Sequence, residues 1–77
     1  MEDNGQNLNL YPNPVKDIFS LTKEVESGIL YDLRGVKVYE FKNQYQDIDV
    51  SSMENGLYLL EVIFKNGSKR TLKLLKQ

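Results

Sequence analysis

The chain has 77 residues, of which 40% are hydrophobic and 27% are charged, and its formal net charge is −1. This length suits one domain with a core near the lower size limit for independent folding, and the apolar content is too high for a disordered chain. The weak net charge argues against a nucleic-acid-binding protein, no apolar run approaches the ~20 residues of a membrane helix, and the absence of cysteine excludes disulfides and thiolate metal sites.

The chain opens with a polar segment, residues 1–7, that lacks both the basic and the apolar region of a signal peptide. We expect this segment to be a flexible linker or a cloning remnant, which leaves residues 8–77 as the folded domain. Alternation of apolar and polar residues over 8–11 predicts a first short strand. The strand runs into a Tyr-Pro-Asn-Pro sequence at residues 11–14, where two prolines remove ladder donors and predict a rigid corner at a sheet edge.

A β-hairpin is predicted in the middle of the chain, after a strand over residues 17–21 and a charged loop. Its arms are residues 29–33 and 36–41, and Gly35 between them can adopt the positive φ that a tight turn demands. The second arm has valines on one face and aromatic residues on the other. The sequence leaves open which of these two faces is buried.

The central strand is predicted over residues 57–64, after a short strand at 48–50 and an Asn-Gly turn at 55–56. Residues on both of its faces are apolar, with Glu61 as the one exception, so we expect a layer to cover all or most of each face. A second Asn-Gly pair, residues 66–67, then predicts a hairpin that leads into a last strand.

The last strand carries only basic charge. After Glu61 the chain has no acidic residue and five basic ones: Lys65, Lys69, Arg70, Lys73 and Lys76. Lysines on an edge strand protect it from pairing with other chains, which is one interpretation of this pattern. A surface that attracts a partner is the other.

About seven short strands with turn residues between them and no helical periodicity predict an all-β fold, a small antiparallel β-sandwich of immunoglobulin-like type. The chain also lacks histidine, so few groups remain for acid–base or nucleophilic chemistry. We therefore expect no enzyme activity, no catalytic residue, no cofactor and no metal. Two weaker alternatives are a calcium site at Asp47, Asp49 and Glu54, and a carbohydrate platform made of tyrosines.

Four segments, in this order, resemble the C-terminal sorting domains (type A) of proteins exported by the type IX, or Por, secretion system. The segments are residues 10–14, residues 29–38, residues 48–60 and the basic tail at residues 73–76. The resemblance covers residues 8–77, although Met53 and Glu54 stand in a turn where the family more often has Leu and Pro. It marks seven residues as a structural sorting motif: Tyr11, Pro12, Asn13, Pro14, Gly35, Gly56 and Tyr58.

The resemblance implies that the folded domain is itself a secretion signal. A fused N-terminal cargo protein reaches the periplasm, the outer-membrane translocon recognises the domain, and a sortase often cleaves before Leu8. The cargo then stays on the cell surface or enters the medium. We expect four basic residues to contact the translocon, in part by strand addition at an unpaired edge of the last strand: Lys69, Arg70, Lys73 and Lys76.

Further partners are expected to be few. The composition predicts neither nucleic-acid binding nor stable membrane insertion, whereas exposed edge strands favour self-association. A different functional class, a non-catalytic adhesion or carbohydrate-binding module of a secreted protein, explains the fold and the tyrosines equally well. It does not explain the order of the four segments.

Overall fold

The structure is a computed structural model that describes residues 7–77. Within this range the chain forms no helix, and so none that could cross a membrane. It forms seven strands: β1 (Leu10–Tyr11), β2 (Ile18–Leu21), β3 (Ser27–Tyr31), β4 (Lys37–Lys42), β5 (Ile48–Asp49), β6 (Gly56–Ile63) and β7 (Lys69–Lys76). Two antiparallel sheets result, with strand orders β1-β2-β5 and β4-β3-β6-β7, which confirms the predicted β-sandwich. The linker predicted at residues 1–7 lies outside the described residues, except for Asn7.

The core lies between the two sheets. The larger sheet contributes Leu30, Leu60 and Leu74, which are fully inaccessible to water. An edge-on contact between Phe19 of the smaller sheet and Phe41 of the larger one, with ring centroids 6.2 Å apart, joins the layers. Burial of each such side chain contributes about 2 kcal/mol to stability. Because a chain of this length has only one small core, the loss of one large core side chain removes a large part of its stability.

β6 is buried on one face only. Tyr58, Leu60 and Val62 point into the core, whereas the alternate residues on the outer face are partly accessible and Leu57 is 39% exposed. The prediction of a covering layer therefore holds for the core face and is wrong for the outer face. The seven strands are divided between two sheets, so each sheet has a single partner layer. Among residues 7–77, the strands that flank the outer residues of β6 are β3 and β7.

Both predicted hairpins are present, and their turns have the same geometry. Gly35 and Gly67 have positive φ values of +86° and +91°. In the second hairpin, the Phe64 N–H donates to the Ser68 carbonyl and the Gly67 N–H donates to the Phe64 carbonyl, both at 2.8 Å. Equivalent hydrogen bonds of 3.0 and 2.9 Å close the first hairpin. Each connection is thus a three-residue loop in which glycine takes the left-handed position.

The aromatic face of β4 is the buried one, which the sequence did not decide. Phe41 is buried and Tyr39 packs against the core, whereas Val36 and Val38 are exposed. The aromatic face is the larger of the two, so its burial removes more apolar surface from water.

Gly28 in β3 lies where the sheet and the core are in closest contact. It pairs with Phe41 across the sheet, and a Cβ atom at Gly28 would overlap the Phe41 ring. We expect Gly28→Ala to lower the free energy of unfolding by about 1–3 kcal/mol in urea denaturation, as over-packing does. In a Phe41→Leu background the same change should cost less, because the smaller side chain leaves room. An equal cost in both backgrounds would contradict the steric contact.

Candidate functional site

The outer edge of β7 brings together three of the predicted site residues, Asn13, Lys69 and Lys73. The N–H and C=O groups of Leu75 bind the N-terminal part of the chain and not β6. Successive residues of a strand turn these groups to opposite sides, so those of Lys69, Thr71 and Lys73 also point away from β6. The main-chain groups of these odd-numbered residues therefore point to the side of β7 that faces away from β6.

Asn13 and Val15 cover the C-terminal half of this edge, and we refer to the two residues as the edge cap. The Asn13 amide completes the ladder as a peptide group would: Nδ2 donates to the Lys73 carbonyl and Oδ1 accepts from the Leu75 N–H, both at 3.1 Å. The Val15 N–H then donates to the Leu75 carbonyl at 2.7 Å, and the Val15 carbonyl accepts from the Gln77 N–H at 2.8 Å. The opening segment and the last strand are therefore one structural unit.

The chemistry of the cap explains why asparagine occupies position 13. A carboxamide carries a donor and an acceptor side by side, so it can replace a main-chain N–H and C=O pair. Pro12 and Pro14 on either side have no N–H of their own and restrict φ, and both follow cis peptide bonds. The contact at residue 13 is made by the Asn13 side chain.

The N-terminal half of the edge has no such cover. Within residues 7–77, nothing bonds the outward N–H and C=O groups of Lys69 and Thr71 or the N–H of Lys73. We refer to Lys69, Thr71 and Lys73 as the open half-edge. All three residues are exposed.

The four basic residues predicted to contact a partner lie in different environments. Lys69 and Lys73 are exposed on the outer face of the sheet, and neither forms an ion pair within the described range. Arg70 is half-buried and already has an interaction partner. Lys76 is only 5% exposed and lies on the same face of β7 as the core residue Leu74. The structure thus groups Lys69 and Lys73 with Thr71 and directs Lys76 inward.

The other motif residues are structural and are spread over the fold. Gly56 has a φ of +149° and begins β6. Tyr58 is buried, its hydroxyl donates to the Glu54 carbonyl at 2.6 Å, and burial raises the pKa of that hydroxyl. Tyr11 is 49% exposed at the end of β1. Gly35 lies in the first hairpin turn, so these residues do not converge on one site.

A shallow cavity of about 340 Å³ opens beside Tyr58, between the first hairpin turn and the turn before β6. Asp32 and Arg34 in its wall form an ion pair at 2.8 Å. The side-chain hydrogen bond from Arg34 holds the pKa of the Asp32 carboxyl below its usual value. Asp32 Oδ1 also accepts the main-chain N–H groups of Arg34 and Val36, so the carboxylate fixes the turn.

The two weaker alternatives receive no support from the geometry. No three acidic side chains of residues 7–77 converge in a way that could hold a metal ion. Asp49 instead accepts the Ser51 N–H at 2.9 Å, which lowers the pKa of its carboxyl. Tyr58 is buried, and Tyr39 and Tyr45 pack against the core, so the tyrosines do not form a common exposed platform.

The edge cap includes a residue that the sequence did not single out, Val15. It is fully buried and forms a parallel bridge with Lys76. The available signal was the asparagine between two prolines, because its carboxamide can supply the ladder donor that proline lacks. Its partners lie 60 and 62 residues away, beyond the reach of local patterns.

Comparison with known proteins gives one result. A family model described as "Secretion system C-terminal sorting domain" matches residues 9–77, which include both the edge cap and β7. No curated protein and no solved structure matches the chain.

Substitution of Asn13 tests the edge cap. Asn13→Ala should lower the free energy of unfolding by about 1–2 kcal/mol, because it removes both side-chain hydrogen bonds. Hydrogen exchange of the Leu75 amide should become faster. Asn13→Asp keeps the acceptor but not the donor, so it should preserve protection of that amide better than alanine does. Asn55→Ala, at an exposed turn position, is the control. Unchanged exchange at Leu75 in Asn13→Ala would contradict the cap.

Proposed function

Because the chain belongs to the family of secretion system C-terminal sorting domains, we propose that the exposed basic side of β7 is what the export machinery reads on this domain. The family is a signal for type IX secretion, and it directs a fused N-terminal cargo protein to the cell surface or the extracellular space. The observation that carries this function is the match over residues 9–77.

The translocon contact is assigned here to Lys69 and Lys73. Both are exposed and lack ion-pair partners in the described part of the chain, so their charge is available to an acidic surface. Arg70 is half-buried with a partner of its own, and Lys76 is buried. We propose that Arg70 and Lys76 stabilise β7 and do not contact the translocon.

The place where the folded body begins supports the proposal of a sortase cut before Leu8. Leu8 is 5% exposed and belongs to the core, whereas Asn7 is exposed. A protease needs an accessible, extended chain, so the bond it cleaves lies on the N-terminal side of Leu8. In this scheme the domain is a non-catalytic ligand of both the translocon and the sortase. The cargo passes through the periplasm before it crosses the outer membrane.

The adhesion or carbohydrate-binding alternative is not favoured. The family match concerns sorting. The tyrosines that would form a glycan platform are largely committed to the core.

The whole function is tested by fusing residues 1–77 to a periplasm-directed fluorescent protein in a bacterium that has the type IX machinery. We expect fluorescence at the cell surface or in the medium, and its loss in a translocon mutant. Retention in the periplasm of both strains would refute the function. Delivery in both strains would show a different route.

The role of the lysines needs charge reversal and not truncation. Leu74 and Lys76 are buried, so deletion of the last residues would damage the fold together with any contact. In the double variant Lys69→Glu/Lys73→Glu we expect export to fall at least about tenfold while the unfolding midpoint stays near that of the parent, because solvent-exposed charges affect stability little. The control is Lys16→Glu/Lys42→Glu, which changes the net charge equally at exposed sites outside β7. Equal export by both double variants would defeat the assignment.

A further inference from the structure

The open half-edge has a length and a charge pattern that define what can bind it. We propose that Lys69, Thr71 and Lys73 bind an extended acidic segment of a partner protein by β-strand addition. The assignment of that partner to the export machinery rests on the proposed function. The binding chemistry rests only on the geometry of β7.

Main-chain groups set the length of the added strand. The N–H and C=O groups of Lys69 and Thr71, together with the N–H of Lys73, face outward without partners in the described range. The next group along the edge, the Lys73 carbonyl, is already bound by Asn13. An added strand therefore has room for about five residues, or about 17 Å, before it meets the edge cap.

Side chains set the chemistry of the added strand. Lys69 and Lys73 lie on the outer face, four residues apart, with Thr71 between them. Residues directly opposite on neighbouring antiparallel strands approach to about 5 Å, so acidic residues at the first and fifth positions would face the two lysines. On the other face of β7, Leu72 is half-buried and would face an apolar residue at the second position. The matching core sequence is Glu-Val-Thr-Val-Glu.

Neither edge of the larger sheet in a second copy of the chain matches this edge. Two β7 strands paired antiparallel would place lysine opposite lysine, which is repulsive. β4, the other edge of the same sheet, carries Lys37, Glu40 and Lys42. Its one acid is held by Lys37 at 2.9 Å, so this edge offers no free acid to Lys69 or Lys73. The charge pattern thus favours a different, acidic chain over the self-association that edge strands alone predict.

The probe is a capped peptide that contains Glu-Val-Thr-Val-Glu, and its matched control contains Lys-Val-Thr-Val-Lys. Both are titrated into the 77-residue chain while backbone amide shifts and hydrogen exchange are followed by NMR. We expect the acidic peptide alone to bind, with slower exchange of the Lys69, Thr71 and Lys73 amides and weaker binding in high salt. Binding of both peptides alike, changes confined to other strands, or no binding at millimolar peptide would overturn the proposal, the last by leaving edge protection as the role of the lysines.

Two sets of variants separate the main-chain and side-chain contributions. Thr71→Pro removes an outward N–H that is not part of the β6 ladder, a position where an edge strand tolerates proline. It should weaken peptide binding at least about tenfold. Glu40→Pro makes the same change on β4, where the register of the β3 pairing also turns the residue 40 amide outward, and should leave binding unchanged. Equal affinities for the two proline variants would exclude strand addition.

Charge exchange keeps the test valid if a proline variant does not fold. Lys69→Glu/Lys73→Glu should lose the acidic peptide and gain the basic one, and failure to exchange would exclude the predicted pairing. If the unmodified fusion is not exported although the unmodified chain binds the acidic peptide, the proposed function is contradicted and the strand-addition site is still supported. Export that persists in Thr71→Pro, where peptide binding is lost, would show that the site serves a partner outside the export machinery.

Discussion

The hydrogen bonds between residues 13–15 and β7 are the contact on which the rest of the domain depends. They join the connection between β1 and β2, two strands of the smaller sheet, to the edge of the larger sheet. Without them, the main-chain hydrogen bonds of β7 would be those to β6, and its whole outer edge would be open. With them, one half of that edge is satisfied inside the molecule and the other half faces solvent. The position of the free basic surface follows directly from the place where the cap ends.

The small size of the domain explains why its surface is not fully polar. Each sheet has one partner layer, so the outer face of β6 remains partly accessible although three of its four side chains are apolar. The charged residues Lys69 and Lys73 of the neighbouring strand β7 lie opposite two of these apolar groups, Ile63 and Leu59. A two-layer fold of this length cannot cover both faces of a central strand, and the sequence of β6 alone does not reveal that.

Local patterns were enough to predict the strands, both hairpins and the sandwich. Alternation identifies a strand within a few residues, and Gly35 and Gly67 mark turns because only glycine adopts a positive φ at low cost. The site was harder to predict, because Asn13 and its partners are 60 or more residues apart. The burial of Lys76 was also unexpected: alternation along β7 puts it on the face of Leu74, but a lysine is rarely buried to this extent.

The inward position of Lys76 and Leu74 has a consequence for how this signal is made. Ribosomes add β7 after every other strand of the domain. Leu74 and Lys76 of β7 nevertheless complete the core, and the end of β7 binds the edge cap. A polypeptide that ended a few codons earlier would lack both the last core side chains and the strand that Asn13 binds. In such a product Leu30 and Leu60 would lose the packing of Leu74, and Asn13 would lose the Leu75 amide that it binds. The order of synthesis therefore makes the last strand the one that completes the folded domain.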